Sequence, residues 1–215
     1  MNFLMNKMDL LKDKYKKAPI TMTLITICIV YYLLSVLFYG IEMNAIEGLE
    51  FGAYNPLYVY FYHQYYRLLS ANFVHFGLLH VVINCYSLYG IGMFIENVLK
   101  TKKYLSVILF SALTTNGIPY LLFLMNGFES DTVSGGISGI IFGLIGSLAA
   151  LALCYRDVFL SIFKQLAPNL VLMLVISFVV PSISLSGHVC GLIGGFVITY
   201  ILLMKKHRKD NHLIN

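Results

Sequence analysis

Apolar residues run along this chain in long unbroken stretches, not in the alternating or one-sided patterns of soluble strands and helices. Stretches with helical character occupy residues 19–40, 77–95, 104–125, 135–155, 168–182 and 187–204. Most are close to the roughly 20 residues that an α-helix needs to cross the hydrocarbon core of a bilayer. The fifth is the shortest. It lies between Pro168 and Pro181 just after Lys164 and Gln165, and a helix beginning at Pro168 suits a residue that has no N–H to leave unpaired. The pattern predicts an all-α membrane protein, a bundle of six transmembrane helices over residues 19–204, between tails at 1–18 and 205–215. No internal repeat, linker or second domain interrupts it.

Composition sharpens this. Of 215 residues, 59% are hydrophobic and 12% charged, against about a quarter charged in a soluble domain, which excludes a water-soluble globule. A net charge of +5 would suggest nucleic acid in a soluble protein, but here position decides. Lys and Arg number five in the N-tail, three in 96–103, two in 156–164 and four in the C-tail, leaving only Arg67. In a six-span chain those fourteen share one side, while Glu42, Glu47, Glu50, Glu129 and Asp131 fall on the other. The positive-inside rule then predicts both termini in the cytoplasm and no nucleic-acid partner. The basic stretches at 7–17 and 205–209 suit the anionic lipids of the bilayer's inner leaflet. The first eighteen residues carry five lysines and no compact apolar segment ending in small residues, so the first span is expected to stay as an anchor. These features point to a bacterial plasma membrane. Cys28, Cys85, Cys154 and Cys190 lie in apolar runs and read as small buried thiols. Outer loop 1, residues 41–76, is rich in Tyr and Phe, as in an aromatic belt at the water–lipid boundary; a role in guiding substrate is compatible with that.

Strongly polar side chains inside spans cost several kcal/mol unless paired, so each is a functional candidate. They are His80 and Asn84 in span two, Ser138 in span four, His188 in span six, and Glu96 near the inner end of span two. Spans two, four and six all run from outside to inside in this topology. Ser138, expected about one turn into its span, and His188, at the start of its own, therefore fall within roughly 10 Å of the outer boundary. Asn84 follows about two turns into span two, and His80, four residues earlier, shares its face. Gly135, Gly139 and Gly143 on span four, and Gly187, Gly191 and Gly195 on span six, repeat at four-residue spacing, which lets helix backbones approach closely. Any one of these features alone reads as packing or as a hydroxyl bonded to its own helix. Together they would bring a hydroxyl within reach of an imidazole, the arrangement that a serine nucleophile needs.

These residues resemble the motifs of the rhomboid intramembrane serine proteases over roughly residues 52–200. Gly136-Ile137-Ser138-Gly139, followed by Phe142-Gly143, is similar to that family's Gly-x-Ser-Gly. His188-Val189-Cys190-Gly191 continuing to Gly195 is similar to its His-x-x-Gly-x-x-x-Gly. His75, His80 and Asn84 repeat its second-span pattern, and Gly92 with Glu96 fits the end of that span. The resemblance implies that Ser138 is the nucleophile, His188 the general base, and Asn84, His80 and the Ser138 backbone N–H the oxyanion hole. It also implies that Gly136, Gly139, Phe142, Gly191 and Gly195 shape the site, that no metal or cofactor takes part, and that substrates are single-span membrane proteins cut near the outer leaflet.

Some positions depart from the family. Tyr66-Arg67 stands where Trp-Arg is usual, and Arg67 is expected to staple the loop. Phe142 replaces a tyrosine found in part of the family and can stack on an imidazole without hydrogen bonding. Lys100 stands where a glycine often follows. Glu96 reads as a cap or ion-pair partner. Two other readings remain open: a non-catalytic relative that binds membrane helices, and a small transporter, whose polar residues should extend across the whole membrane.

Overall fold

The computed structural model describes residues 16–179 and 184–212. Most of the expected N-tail, Pro181 and residues 213–215 lie outside them. Helix α1 (Pro19–Tyr39) starts with proline in its first turn and ends at Gly40, whose φ of +85° suits glycine. It is apolar all round, with Leu37 77% and Phe38 73% exposed, as expected for a surface solvated by lipid tails and not by water.

The segment between residues 41 and 76 is folded, not merely amphipathic. In α2 (Ala45–Glu50) the Asn44 side chain accepts from Ile46 N and Glu47 N, while Glu47 accepts from Asn44 N at 2.7 Å, a reciprocal capping box. Asn55 caps α3 (Pro56–Tyr62) by accepting from Tyr58 N. A short α4 (Arg67–Ser70) continues into a 3₁₀ turn at Ala71–Phe73. Arg67 is 3% exposed. Its Nη1 donates to the Leu49 and Ala53 carbonyls, both at 2.7 Å, its Nε donates to Gln64 Oε1 at 2.6 Å, and its plane lies 4.9 Å over Tyr58. It is the staple expected from the sequence. Tyr60, Phe61, Tyr62, Tyr65 and Tyr66 are exposed, as in a belt, whereas Tyr54 packs with Val59, Ala71 and Tyr120 in a small core of its own.

Helix α5 (Leu78–Leu99) is continuous but widens to a π-turn at Leu88–Gly92. Its C-terminal end carries Glu96, 1% exposed, whose carboxylate accepts from Ile20 N at 3.0 Å and from Thr21 N at 2.8 Å. Glu96 therefore caps α1, satisfying two first-turn amides that α1 cannot satisfy itself. Thr21 Oγ1 lies 2.8 Å from the same carboxylate and 2.9 Å from Tyr104 OH. One hydroxyl proton serves one acceptor, so the carboxylate receives it and the tyrosine donates to Thr21. Because each orphaned buried donor costs about 1–3 kcal/mol, Glu96→Ala is expected to lower stability by about 3 kcal/mol and Glu96→Gln by about half as much. Thermal unfolding in mild detergent would measure both; a loss under about 1 kcal/mol for alanine would mean that this cap contributes little.

The remaining long helices are α6 (Thr101–Asn126), α7 (Ser138–Cys154), α8 (Arg156–Val179) and α9 (Leu185–His212). By length and composition, Pro19–Tyr39, Leu78–Leu99, Thr101–Asn126 and Leu185–Lys205 are each able to cross a membrane. Helix α7, with 17 residues, is only about 25 Å long, yet it is the centre of the bundle: most of it is buried, and it packs chiefly on α9 and also on α6 and α8.

Two expectations need correction. The fifth helix begins at Arg156, not Pro168, which lies in its interior. Phe159, Ile162, Phe163 and Leu166 form a stripe at helical spacing that packs on the core, and this burial outweighs the single backbone hydrogen bond lost at Pro168. The fourth begins at Ser138 itself, so Ser138 stands at the helix start and not one turn inside, and Gly135 precedes the helix. Of the four cysteines, all free, Cys28 and Cys190 are buried while Cys85 and Cys154 are half-buried.

Candidate active site

The chain reaches Ser138 through a loop that several backbone bonds hold in place. Tyr54 and Ser134 exchange hydrogen bonds at 2.8 and 3.0 Å, the Asn55 side chain donates to the Thr132 carbonyl at 3.1 Å, and Gly136 N donates to the Ala71 carbonyl at 2.9 Å. Gly136 has φ +115°, a conformation open to glycine alone at little cost. Ile137 follows with no side-chain cap, and α7 begins. The first amides of a helix have no intrahelical acceptor, so the Ser138 N–H is a donor at the start of an uncapped helix.

Gly139, Gly143 and Gly146 on α7 meet Gly191, Gly195 and Leu192 on α9 backbone to backbone. A Cβ added at Gly191 would strike the Gly139 carbonyl, one at Gly195 the Gly143 carbonyl, and one at Gly146 the Leu192 carbonyl. This contact puts His188, in the first turn of α9, across from Ser138. His188 Nε2 lies 2.7 Å from Ser138 Oγ. The Phe142 ring, one turn into α7, stacks on the His188 imidazole with centroids 4.2 Å apart and planes at 16°. His188 is 6% exposed and Phe142 fully buried, so the imidazole is held against one apolar face.

Helix α5 supplies the other wall. His80 and Asn84, one turn apart, face the Gly136 turn. A Cβ placed on Gly136 would lie 2.7 Å from His80 Nε2 and 3.5 Å from Asn84 Nδ2. Asn84 is 5% exposed, and its Nδ2 has no hydrogen-bond partner. His75, 1% exposed, stands in the turn before α5 with its ring edge-on to His80 at 5.0 Å and Nδ1 3.0 Å from the Phe73 carbonyl. A cleft lined by His80, Thr115, Gly136, Ser138, Ser184 and His188 opens beside the hydroxyl–imidazole pair.

The structure thus brings Ser138, His188, Asn84, His80, Gly136, Gly139, Phe142, Gly191 and Gly195 into one region. The sequence reading named no residue of α6, yet Thr115 lines the cleft and sits against both Gly139 and Gly191. The signal was present: Ser111, Thr115 and Asn116 are buried polar residues at helical spacing in an apolar run. Glu129 and Ser186, which bond to each other at the end of the bundle that holds the cleft, also carried no motif.

An apolar helical bundle with a serine hydroxyl, an imidazole and an unpaired amide donor gathered at one end defines a class of membrane protein, and sequence comparison gives its family. The family model described as Rhomboid domain matches residues 62–205, and the chain belongs to the rhomboid family. It is similar to the rhomboid protease GluP of Bacillus subtilis, with 31% identity over 144 residues, 66% of this chain and 27% of GluP. It is 34% identical over 146 residues to the putative rhomboid protein L523 of Acanthamoeba polyphaga mimivirus, 67% of this chain and 80% of that protein. It is 28% identical over 190 residues to the rhomboid protease GlpG of Pectobacterium atrosepticum, 87% of this chain and 64% of GlpG. The match spans about a quarter of the length of GluP. The protein is an integral membrane protein of a family that includes intramembrane proteases.

Proposed function

We propose that the protein is an intramembrane serine endopeptidase that cleaves single-span membrane substrates near the outer leaflet. The observation that carries this reading is the 2.7 Å contact between Ser138 Oγ and His188 Nε2 inside a cleft. In the tautomer with its proton on Nδ1, His188 accepts the serine O–H through Nε2. Ser138 Oγ then attacks a peptide carbonyl carbon while Nε2 takes the proton. The imidazolium that results is supported by the face of Phe142. The negative oxygen of the tetrahedral intermediate is received by the Ser138 N–H, Asn84 Nδ2 and His80. His188 returns the proton to the leaving amine, and water hydrolyses the acyl-enzyme by the same route reversed.

In this reading residues 19–204 form six spans with both termini in the cytoplasm, because every lysine and arginine except Arg67 gathers on one side and Glu42, Glu47, Glu50, Glu129 and Asp131 on the other. The dyad then lies toward the outer leaflet. A substrate helix must unwind there, since an intact helix buries its carbonyls in its own hydrogen bonds. No metal or cofactor enters the scheme.

A fluorophosphonate probe tests this without knowledge of the substrate. The purified protein in detergent is expected to be labelled at Ser138, with the adduct mapped by mass spectrometry, and Ser138→Ala is expected to remain unlabelled. A folded wild-type protein that takes no label would favour a non-catalytic binder of membrane helices.

A further inference from the structure

The dyad joins two helices, so its geometry depends on what fixes the first turn of α9. The glycine contacts fix the lateral distance between α7 and α9, but they lie below His188 and leave the end of the helix to be held by other groups. Ser184 caps that turn, accepting from Gly187 N at 3.0 Å through Oγ and from His188 N at 3.2 Å through its carbonyl. Ser184 Oγ lies 3.2 Å from Ser186 Oγ, and Ser186 Oγ donates to Glu129 Oε2 at 2.6 Å.

Proton counting gives this set a direction. Ser186 has one hydroxyl proton, and the short contact to a carboxylate commits it there. Toward Ser184 it can therefore only accept, so Ser184 donates to it. The result is a one-way chain from the Gly187 N–H through Ser184 and Ser186 to the Glu129 carboxylate. Such chains polarise each bond in the same sense. This one ends on a negative charge near the amino terminus of α9, where the helix dipole favours it.

Glu129 is itself held. It belongs to the loop that leads into Ser138, which is fastened to the 41–76 segment at Thr132, Ser134 and Gly136. Its φ of +52° is uncommon for a residue with a side chain and persists only where the surroundings fix it. One end of this connection is thus on the serine's loop, and the other is two residues from the histidine.

We propose that Glu129 is a positioning residue of the dyad, setting the first turn of α9, and so His188, against Ser138 through Ser186. This rests on the reading of Ser138 and His188 as the catalytic pair. A shift of about 1 Å at a reacting pair can cost up to about a hundredfold in rate, so partial release of one turn is expected to cost about tenfold.

The test compares wild type, Glu129→Ala, Glu129→Gln, Ser186→Ala and the Glu129→Ala/Ser186→Ala double variant as full-length protein in detergent. Three readouts are taken: fluorophosphonate labelling rate, kcat and KM on a fluorogenic single-span reporter peptide, and backbone hydrogen exchange over residues 184–190. Each alanine variant is expected to lose about tenfold in labelling rate and kcat with KM within about twofold of wild type. The double variant should be no slower than either single. Glu129→Gln keeps an acceptor for Ser186 and should retain at least about half the activity. Exchange at Gly187 and His188 should be about tenfold faster in the alanine variants and near wild type in the glutamine variant. Labelling within twofold of wild type in Glu129→Ala, losses that multiply in the double variant, or unchanged exchange would each overturn the proposal. Absence of labelling in the wild type would instead remove the catalytic reading, and the exchange measurement would still decide whether Glu129 holds the turn.

Discussion

Ser138→Ala and His188→Ala are each expected to lower kcat on a single-span reporter by at least about a thousandfold, and the double variant by no more than the worse of the two. The reason is that, in the proposed reading, Ser138 Oγ and His188 Nε2, 2.7 Å apart, act as one device. Without the hydroxyl there is nothing to deprotonate, and without the imidazole the hydroxyl stays protonated at neutral pH. Stability should hardly change on Ser138→Ala. His188→Ala should lower it, because the substitution removes a ring buried against Phe142 and leaves a void. A discriminating comparison is therefore kcat measured at equal folded fraction. Losses that multiply in the double variant would mean that the two groups act separately and would refute the dyad.

How much of this was legible in the sequence depends on the distance over which each feature is encoded. Ser138, His188, His80 and Asn84 could be gathered from the sequence because helix periodicity places polar groups by depth and face, and glycines at four-residue spacing mark the faces that touch. The cap on α1 could not. Its acceptor, Glu96, is 75 residues from Thr21, and nothing local to either residue announces the other. The same holds for Glu129 and Ser186, 57 residues apart. The early start of α8 is a different case. The stripe of Phe159, Ile162, Phe163 and Leu166 was readable, but a proline that suits the first turn of a helix competed with it, and burial of that stripe decided the outcome. The 41–76 segment likewise carried its own caps, Asn44 with Glu47 and Asn55 before Pro56, in plain view. Its aromatic content suggested a belt that could also guide substrate, and not these turns, because composition averages over the few residues that fix a turn. Ser138 came out a turn earlier in its helix than expected because Gly136 turns the chain with φ +115°, and the apolar run continues through that turn without a break.

Asn84→Ala is expected to lower kcat by roughly 100- to 1,000-fold, the usual loss when one oxyanion donor is removed, with KM changed little. Asn84 Nδ2 is buried without an acceptor in the resting protein. A buried amide donor left unpaired costs about 1–3 kcal/mol, so the fold retains it at a penalty. It gains a partner only if an acceptor arrives, and Asn84 Nδ2 shares with His80 Nε2 the approach to the Gly136 turn that leads into Ser138. An interaction absent from the free enzyme and weak in the bound substrate acts on the transition state and therefore on kcat. The same reasoning sets the sign for stability. Truncating Asn84 removes an unsatisfied group, so the alanine variant should unfold at the same temperature as wild type or above it, the pattern expected when a site holds strain for function. A variant that loses both activity and several degrees of stability would show Asn84 to be a packing residue. A stable variant with wild-type kcat would show that the tetrahedral oxygen is held elsewhere, leaving the unpaired amide without a catalytic role. Adding His80→Ala separates the donors further. If both point at one oxygen, the second removal should cost less than the first, because the intermediate can shift toward the Ser138 N–H that remains.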